Sequence, residues 1–275
     1  MQRASISWRM ASLSVFSERH GKSGRDTNPN PSIDDLPDES SPSILSVRNL
    51  TAGYHGQTVV RNIDLCVAID EIVGFVGRNG SGKSMVLLAL AGLIWGKAES
   101  IVLDGQNLCS MPAWLRARRG LGLLLQRVPI FPELSVSQNL DLAVVSREAA
   151  ENVFSPGGNT AVISKILDRG NTPAGALSGG ERRILGLAMA IARRPKVLLA
   201  DEPTLGLALE TEDLVFALLT HNLGRMYSSL ILVSHCLDSV ERYCSRAYLI
   251  SEGLIRMEYI PAEQDQHLSE VVRSI

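Results

Sequence analysis

From residue 44 the chain reads ILSVRNL and then TVVRNIDLCVA, two runs rich in branched side chains that partly alternate apolar with polar. That period predicts half-buried strands. EIVGFVG is shorter, apolar throughout and closed by glycine, which predicts a strand buried on both faces. In SGKSMVLLALAGLI the spacing becomes helical, with the helix opening at its glycine-rich entry. SIVLDG predicts a strand with a turn at Asp104-Gly105, MPAWLRARR a short basic helix with Pro112 near its start, and LGLLLQ a buried strand. ELSVSQNLDLAVVSREAA and NTAVISKILDR read as helices separated by the breaker SPGGN. Beyond them come a helix in SGGERRILGLAMAIARR, an apolar strand ending in acid in KVLLAD, and a helix in LETEDLVFALLTHNL. SLILVSH, SRAYLI and LIRMEYI predict the last strands, and PAEQDQHLSEVVRSI a short helix with a frayed end.

Apolar strands that alternate with helices predict an α/β body with a mostly parallel sheet covered on both sides. The early strands lack intervening helices and predict an antiparallel flap on that sheet. The helical middle, about residues 108–172, predicts a small insertion subdomain, and residues 260–275 a terminal extension. Residues 1–43 carry Ser, Asn, Asp, Pro and Gly without an apolar period and are expected to be a disordered tail. The apolar groups near its start are too scattered for a secretory signal.

Composition narrows the function. Of 275 residues, 45% are hydrophobic and 20% charged, enough for a sizeable core. Lys plus Arg number 27 against 29 Asp plus Glu, a net charge of -2 that argues against gripping nucleic acid as the main task. Aromatics at 5% leave no large stacking platform. Cys66, Cys109, Cys236 and Cys244 form no C-x-x-C pair, so neither zinc nor a disulfide framework is expected; Cys66 and Cys244 read as buried thiols. The longest apolar run, residues 85–95, is interrupted by Gly92 and is too short to span a bilayer.

The sharpest motif is GRNGSGKS at 77–84, set between a buried strand and a helix. Its spacing fits G-x-x-x-x-G-K-S, in which backbone N–H groups and a helix N-terminus face phosphate oxygens. Lys83 would reach the β- and γ-phosphates, and the Ser84 hydroxyl would sit on Mg²⁺. Asp201 and Glu202 end the apolar strand VLLAD and its turn, where Asp201 can hold Mg²⁺ and Glu202 can orient or deprotonate water. His235 ends a third apolar strand and can hydrogen-bond a γ-phosphate. His20 and His267 fall in expected tails, His55 in a turn and His221 near a helix end.

With LSGGE at 177–181 upstream of VLLADEP, the chain resembles the nucleotide-binding subunits of ATP-binding cassette (ABC) transporters over about residues 44–259. The resemblance implies a RecA-like phosphate-loop NTPase: a mostly parallel sheet, an antiparallel β subdomain and a small helical insertion subdomain. It implies that Tyr54 stacks on adenine, and that Gly77, Asn79, Gly80, Ser81, Gly82, Lys83 and Ser84 cradle the phosphates of ATP. It places Ser84, Gln126 and Asp201 on Mg²⁺, and gives hydrolysis to Glu202, His235 and Gln126. Ser178, Gly179 and Gly180 would close on the γ-phosphate held by a second ABC ATPase subunit, identical or homologous.

The implied partners are transmembrane permease subunits and, in a complete importer, an extracytoplasmic solute-binding protein, with no nucleic acid. The implied location is the cytoplasmic face of the inner membrane. NLTAGYHGQTVVRNIDL, IFPELSVSQNL and DEPTLGLA are similar to the ATPases of branched-chain amino acid and urea importers, so import of such solutes is the leading expectation. The chain departs from that group in Arg127-Val128-Pro129, in Leu209, and in lacking aspartate from residues 205–209. The alternative is the ATPase of an exporter of a drug, peptide or lipid. A soluble cassette protein acting on ribosomes or DNA would carry two cassettes or a long coiled-coil insertion, and this chain has one copy of each motif.

Overall fold

The computed structural model describes residues 43–127, 130–143, 166, 168–263 and 267–273. The expected tail up to residue 42, Val128, Pro129, the SPGGN breaker and nearly all of the NTAVISKILDR helix lie outside the described residues.

Strands β1 (Ser43–Tyr54) and β2 (Gln57–Ala68) form a long antiparallel hairpin. Its two-residue turn, His55-Gly56, has positive φ at both positions, and so does Asp104-Gly105 between β5 (Ser100–Leu103) and β6 (Gln106–Asn107). Such turns match the right-handed twist of the strands they join. With β4 (Trp95–Lys97) paired to β1, these strands make the first sheet, in the order β2-β1-β5-β6. The expected antiparallel flap is this sheet.

The second sheet takes β3 (Ile72–Val76), β7 (Leu121–Leu124), β8 (Val197–Asp201), β9 (Ser229–Val233), β10 (Arg246–Ser251) and β11 (Leu254–Tyr259) in the order β11-β10-β3-β9-β8-β7. All pairings are parallel except β10 with β11. Every residue of β3, β8 and β9 is buried, as continuous apolar strands between helical layers must be.

The helices are α1 (Lys83–Leu90), α2 (Ala113–Arg119), α3 (Val136–Ala143), α4 (Gly179–Ala192), α5 (Leu209–Asn222), α6 (Leu237–Tyr243) and α7 (Leu268–Arg273). One apolar cluster lies between the sheets around Phe75, Leu87 and Val197, and the other under α4, α5 and α6 around Ile184, Leu198 and Phe216. Three sequence expectations need adjustment. The stretch 108–172 contains β7, which belongs to the parallel sheet. Helix α1 stops at Leu90, leaving Leu93 and Trp95 of the apolar run exposed. His267 does not sit in a loose tail: it precedes α7, whose Leu268 and Val271 are buried in the core. The thiols divide, with Cys244 buried and Cys66 only partly so.

One ionic cluster fastens the two sheets together. Arg246 at the start of β10 donates to Glu71 Oε1 at 2.7 Å, Glu258 Oε1 at 2.5 Å and the Cys66 carbonyl of β2 at 2.7 Å. Burial alone would lower the Arg246 pKa, but its hydrogen bond to Glu71 and the charges around it carry it above the ordinary value.

Candidate functional site

β3, β8 and β9 are neighbours and parallel, so their C-terminal ends meet at one edge of the sheet. Each end carries chemistry. The chain leaves β3 at Gly77 with φ 144, where an added Cβ would come 2.0 Å from the Ile250 carbonyl oxygen. Only glycine fits there. The loop then turns through residues 78–82 into α1, whose first residue is Lys83. Lys83 is buried, and its ammonium donates to the carbonyls of Gly77 at 2.8 Å and Arg78 at 2.9 Å. Burial pushes its pKa below the ordinary value, against the pull of Glu202 and Asp201. Ser84 Oγ donates to Asp201 Oδ1 at 2.9 Å, bringing the end of β8 against the start of α1. Burial raises the Asp201 carboxyl above the usual carboxylate range, and the Ser84 hydrogen bond opposes it.

Glu202 has φ 47, the left-handed region that a non-glycine residue rarely occupies. Its N–H donates to the Val233 carbonyl at 3.0 Å, which holds the residue over the end of β9. From there Glu202 Oε1 meets His235 Nε2 at 2.5 Å, and Oε2 accepts from Gln126 Nε2 at 3.4 Å. Arg183 of α4 donates to the carbonyls of Gln126 and Leu205, the latter at 3.4 Å. Sequence reasoning passed over Arg183; a basic residue in the first turns of a helix signals nothing until the fold brings Gln126 beneath it.

A cleft of about 220 Å³ is lined by Val59, Asn79, Gly80, Gly82, Lys83, Ser84, Met85, Glu202 and His235. Ser81 Oγ is buried with no hydrogen-bond partner among the described residues, an acceptor-and-donor group left for a ligand in the loop. These features fit a nucleotide phosphate: backbone N–H groups, an ammonium and a spare hydroxyl on one side, a Ser–Asp pair for Mg²⁺ on the other. Among the described residues no three His, Cys, Asp or Glu side chains gather to hold a metal by themselves. An ion on Ser84 and Asp201 would draw further oxygen ligands from phosphate and water.

Other residues singled out in the sequence lie apart from the cleft. Tyr54 ends β1, is 44% exposed and does not line the cleft. Ser178, Gly179 and Gly180 open α4 at the surface. Ser178 accepts from the Glu181 N–H at 3.2 Å while Glu181 Oε2 accepts from the Ser178 N–H at 2.7 Å, a reciprocal cap. Those bonds, led by the Ser178 N–H, hold the Glu181 carboxyl below its ordinary pKa. Gly179 is exposed, with no atom within 4 Å of where its Cβ would be.

The parallel sheet, its glycine loop and the acidic strand end define a phosphate-loop ATPase. The family model described as ABC transporter matches residues 60–205. The chain is 32% identical over 243 residues to the lipopolysaccharide export system ATP-binding protein LptB of Escherichia coli K12, covering 83% of this chain and 96% of that one. It is 34% identical over 229 residues to a probable ABC transporter ATP-binding protein of Azorhizobium caulinodans, covering 83% and 81%. Among solved structures it is similar in fold to CbiO1 of Clostridium perfringens, part of the ABC transporter complex CbiONQ, with TM-score 0.69, 24% identity and 84% and 94% of the two chains covered. A nucleotide-free ATP-binding cassette from an ABC transporter gives TM-score 0.69 at 20% identity, covering 85% and 96%. This chain belongs to the ABC transporter family, as an ATP-binding and ATP-hydrolysing subunit.

Proposed function

We propose that this chain is the motor of an exporter, working as one of two ATPase subunits beneath transmembrane permeases on the cytoplasmic face of the inner membrane. The observation that carries the motor assignment is the convergence of Lys83, Asp201, Glu202 and His235 at the ends of adjacent strands. Relatives named for lipopolysaccharide export, matched over most of their length, favour an amphiphilic, lipid-like cargo over the branched-chain amino acids, urea or short amides that the sequence texture suggests. Among the described residues no helix is long and apolar enough to cross a membrane, so the transport path would belong to partner chains.

In this reading Lys83 and the loop amides hold the β- and γ-phosphates, and Ser84 and Asp201 hold Mg²⁺, with Gln126 at its edge. Glu202 accepts a proton from the attacking water, and His235 keeps that carboxylate oriented. Tyr54 offers its exposed ring to adenine. The uncovered Ser178–Gly180 turn faces a nucleotide on a second subunit. Exposed Leu205 and Leu209 support a partner on this side, since the start of α5 lies against Gly180, whose Cβ would be 3.3 Å from Thr211.

Two measurements test the proposal. Gly179→Asp should leave the melting temperature and ATP affinity of the isolated subunit unchanged, because the substituted side chain meets open space. It should abolish hydrolysis that rises with subunit concentration; wild-type turnover at every concentration would exclude a shared site. Purification with its native permeases, followed by reconstitution into vesicles, should give ATP-driven extraction of a lipid-like molecule. ATP-driven uptake of an amino acid delivered by a solute-binding protein would restore the import reading.

A further inference from the structure

Glu202 and His235 sit beyond the ends of β8 and β9, where the ladder no longer fixes their separation. Glu202 is followed by a short turn and His235 by the start of α6, and the turn and the helix share a third point of attachment. Glu212, in the first turns of α5, receives both. Thr204, two residues after Glu202, donates its hydroxyl to Glu212 Oε1 at 3.4 Å. Ser239, four residues after His235, donates to the same Oε1 at 3.3 Å. Ser239 Oγ also lies 3.0 Å from Cys236 Sγ, and the Cys236 N–H donates to Ser234 Oγ at 3.1 Å. A hydroxyl has one proton to give. With that proton on the carboxylate, the Cys236 thiol can donate to the Ser239 oxygen, which extends the chain of bonds to the residue beside His235.

We propose that Glu212 is a positioning residue for hydrolysis, tying the turn after Glu202 to the start of α6 after His235 and so fixing the approach of the two side chains. This rests on the reading of Glu202 and His235 as the hydrolytic pair. Three features favour it over a purely structural role. Thr204 is 9% exposed, so its hydroxyl must find a partner inside the protein. Glu202 stands in a costly backbone conformation that the turn at 202–205 has to hold. And one oxygen serves both the turn and the start of α6, so removing it frees them together rather than one at a time.

The test compares Glu212→Ala, Glu212→Gln and Ser239→Ala in the full chain. Gln keeps an acceptor oxygen at the same reach, whereas Ala removes it. For Glu212→Ala, kcat should fall about tenfold to a hundredfold while the KM for ATP stays within about twofold. Glu212→Gln should recover most of the loss, and Ser239→Ala should lose a smaller part. Without nucleotide, amide exchange should quicken in the turn at 202–207 and at 234–239, across the start of α6, in Glu212→Ala and not in Glu212→Gln. Normal kcat in Glu212→Ala overturns the proposal, as does a loss that Gln does not relieve or one that follows a lower melting temperature. Should Glu212→Ala fail to fold, Ser239→Ala decides: unchanged kcat and unchanged exchange at 202–207 overturn it. Glu202→Gln is the control. If it turns over normally, the hydrolytic pair itself is misassigned and the proposal falls with it; if it is inert while Glu212→Ala is normal, only the role of Glu212 falls.

Discussion

Glu202 combines a left-handed backbone with two side-chain partners, His235 Nε2 at 2.5 Å and Gln126 Nε2 at 3.4 Å. Its geometry is therefore set by the main chain and by both neighbours, and changing its charge should not displace it. Glu202→Gln should bind ATP as the native chain does and lose about two orders of magnitude in turnover, because an amide is no base. Calorimetry for affinity and phosphate release for turnover check this, and near-normal turnover would remove Glu202 from its role. The residues legible in the sequence were those whose meaning lies in a contiguous word or at a strand end: the glycine loop, Lys83, Ser84, Asp201, Glu202 and His235. Arg183, Glu212 and Arg246 were not legible. Each takes its significance from partners distant in sequence or from a turn whose course no local pattern fixes.

Among the elements, α7 is tied to α6 by a carboxylate as well as by apolar packing. Glu241 of α6 accepts from the Leu268 N–H at 2.6 Å and the Tyr259 hydroxyl at 2.8 Å, with His267 Nδ1 3.4 Å away. The Leu268 N–H above all holds Glu241 below the usual carboxylate range. The same group, after burial, pushes the Tyr259 phenol up to about 12. A carboxyl with a depressed native pKa stabilises fully above its unfolded pKa, and that contribution disappears as pH falls through the native value. Protection of the α7 amides, corrected for intrinsic exchange, should therefore hold from neutral pH down to the ordinary carboxylate range and fall progressively from there as pH approaches the lower native value. Glu241→Gln should show reduced protection already at neutral pH. Constant protection down to global unfolding would mean that apolar packing of Leu268 and Val271 suffices. The sequence indicated a short helix here but not its anchor. Periodicity reports which face is apolar, while Glu241 lies on another helix.

For the whole molecule, the two sheets share an apolar cluster and the Arg246 cluster. Glu71 and Glu258 keep 12% and 24% side-chain exposure beside Arg246, so its loss strands two carboxylates that water reaches poorly. Arg246→Met should cost about 3–5 kcal/mol, measured by urea denaturation. A cost below about 1 kcal/mol would show that apolar contacts alone join the sheets. The α/β class, the parallel sheet and the antiparallel flap were all legible, because fully apolar and alternating strands differ in pattern. Strand order was not, since nothing local to β3 says that its neighbours are β9 and β10.

That order has a consequence for the birth of the protein on the ribosome. β3 and its glycine loop are made early, yet the strands that flank β3 begin only at Ser229 and Arg246. The Ile250 carbonyl that crowds Gly77, and the Gly253 N–H that donates to the Ser81 carbonyl at 3.0 Å, arrive later still. At about 5–20 residues per second, the cradle waits on the order of ten seconds as an unpaired apolar strand. A nascent chain halted between His235 and Arg246 would hold the whole nucleotide signature while β3 still lacked its β10 neighbour, and that open edge would be a target for chaperones. The capacity to use ATP thus appears abruptly, near the end of translation, when the last hairpin closes over the first loop.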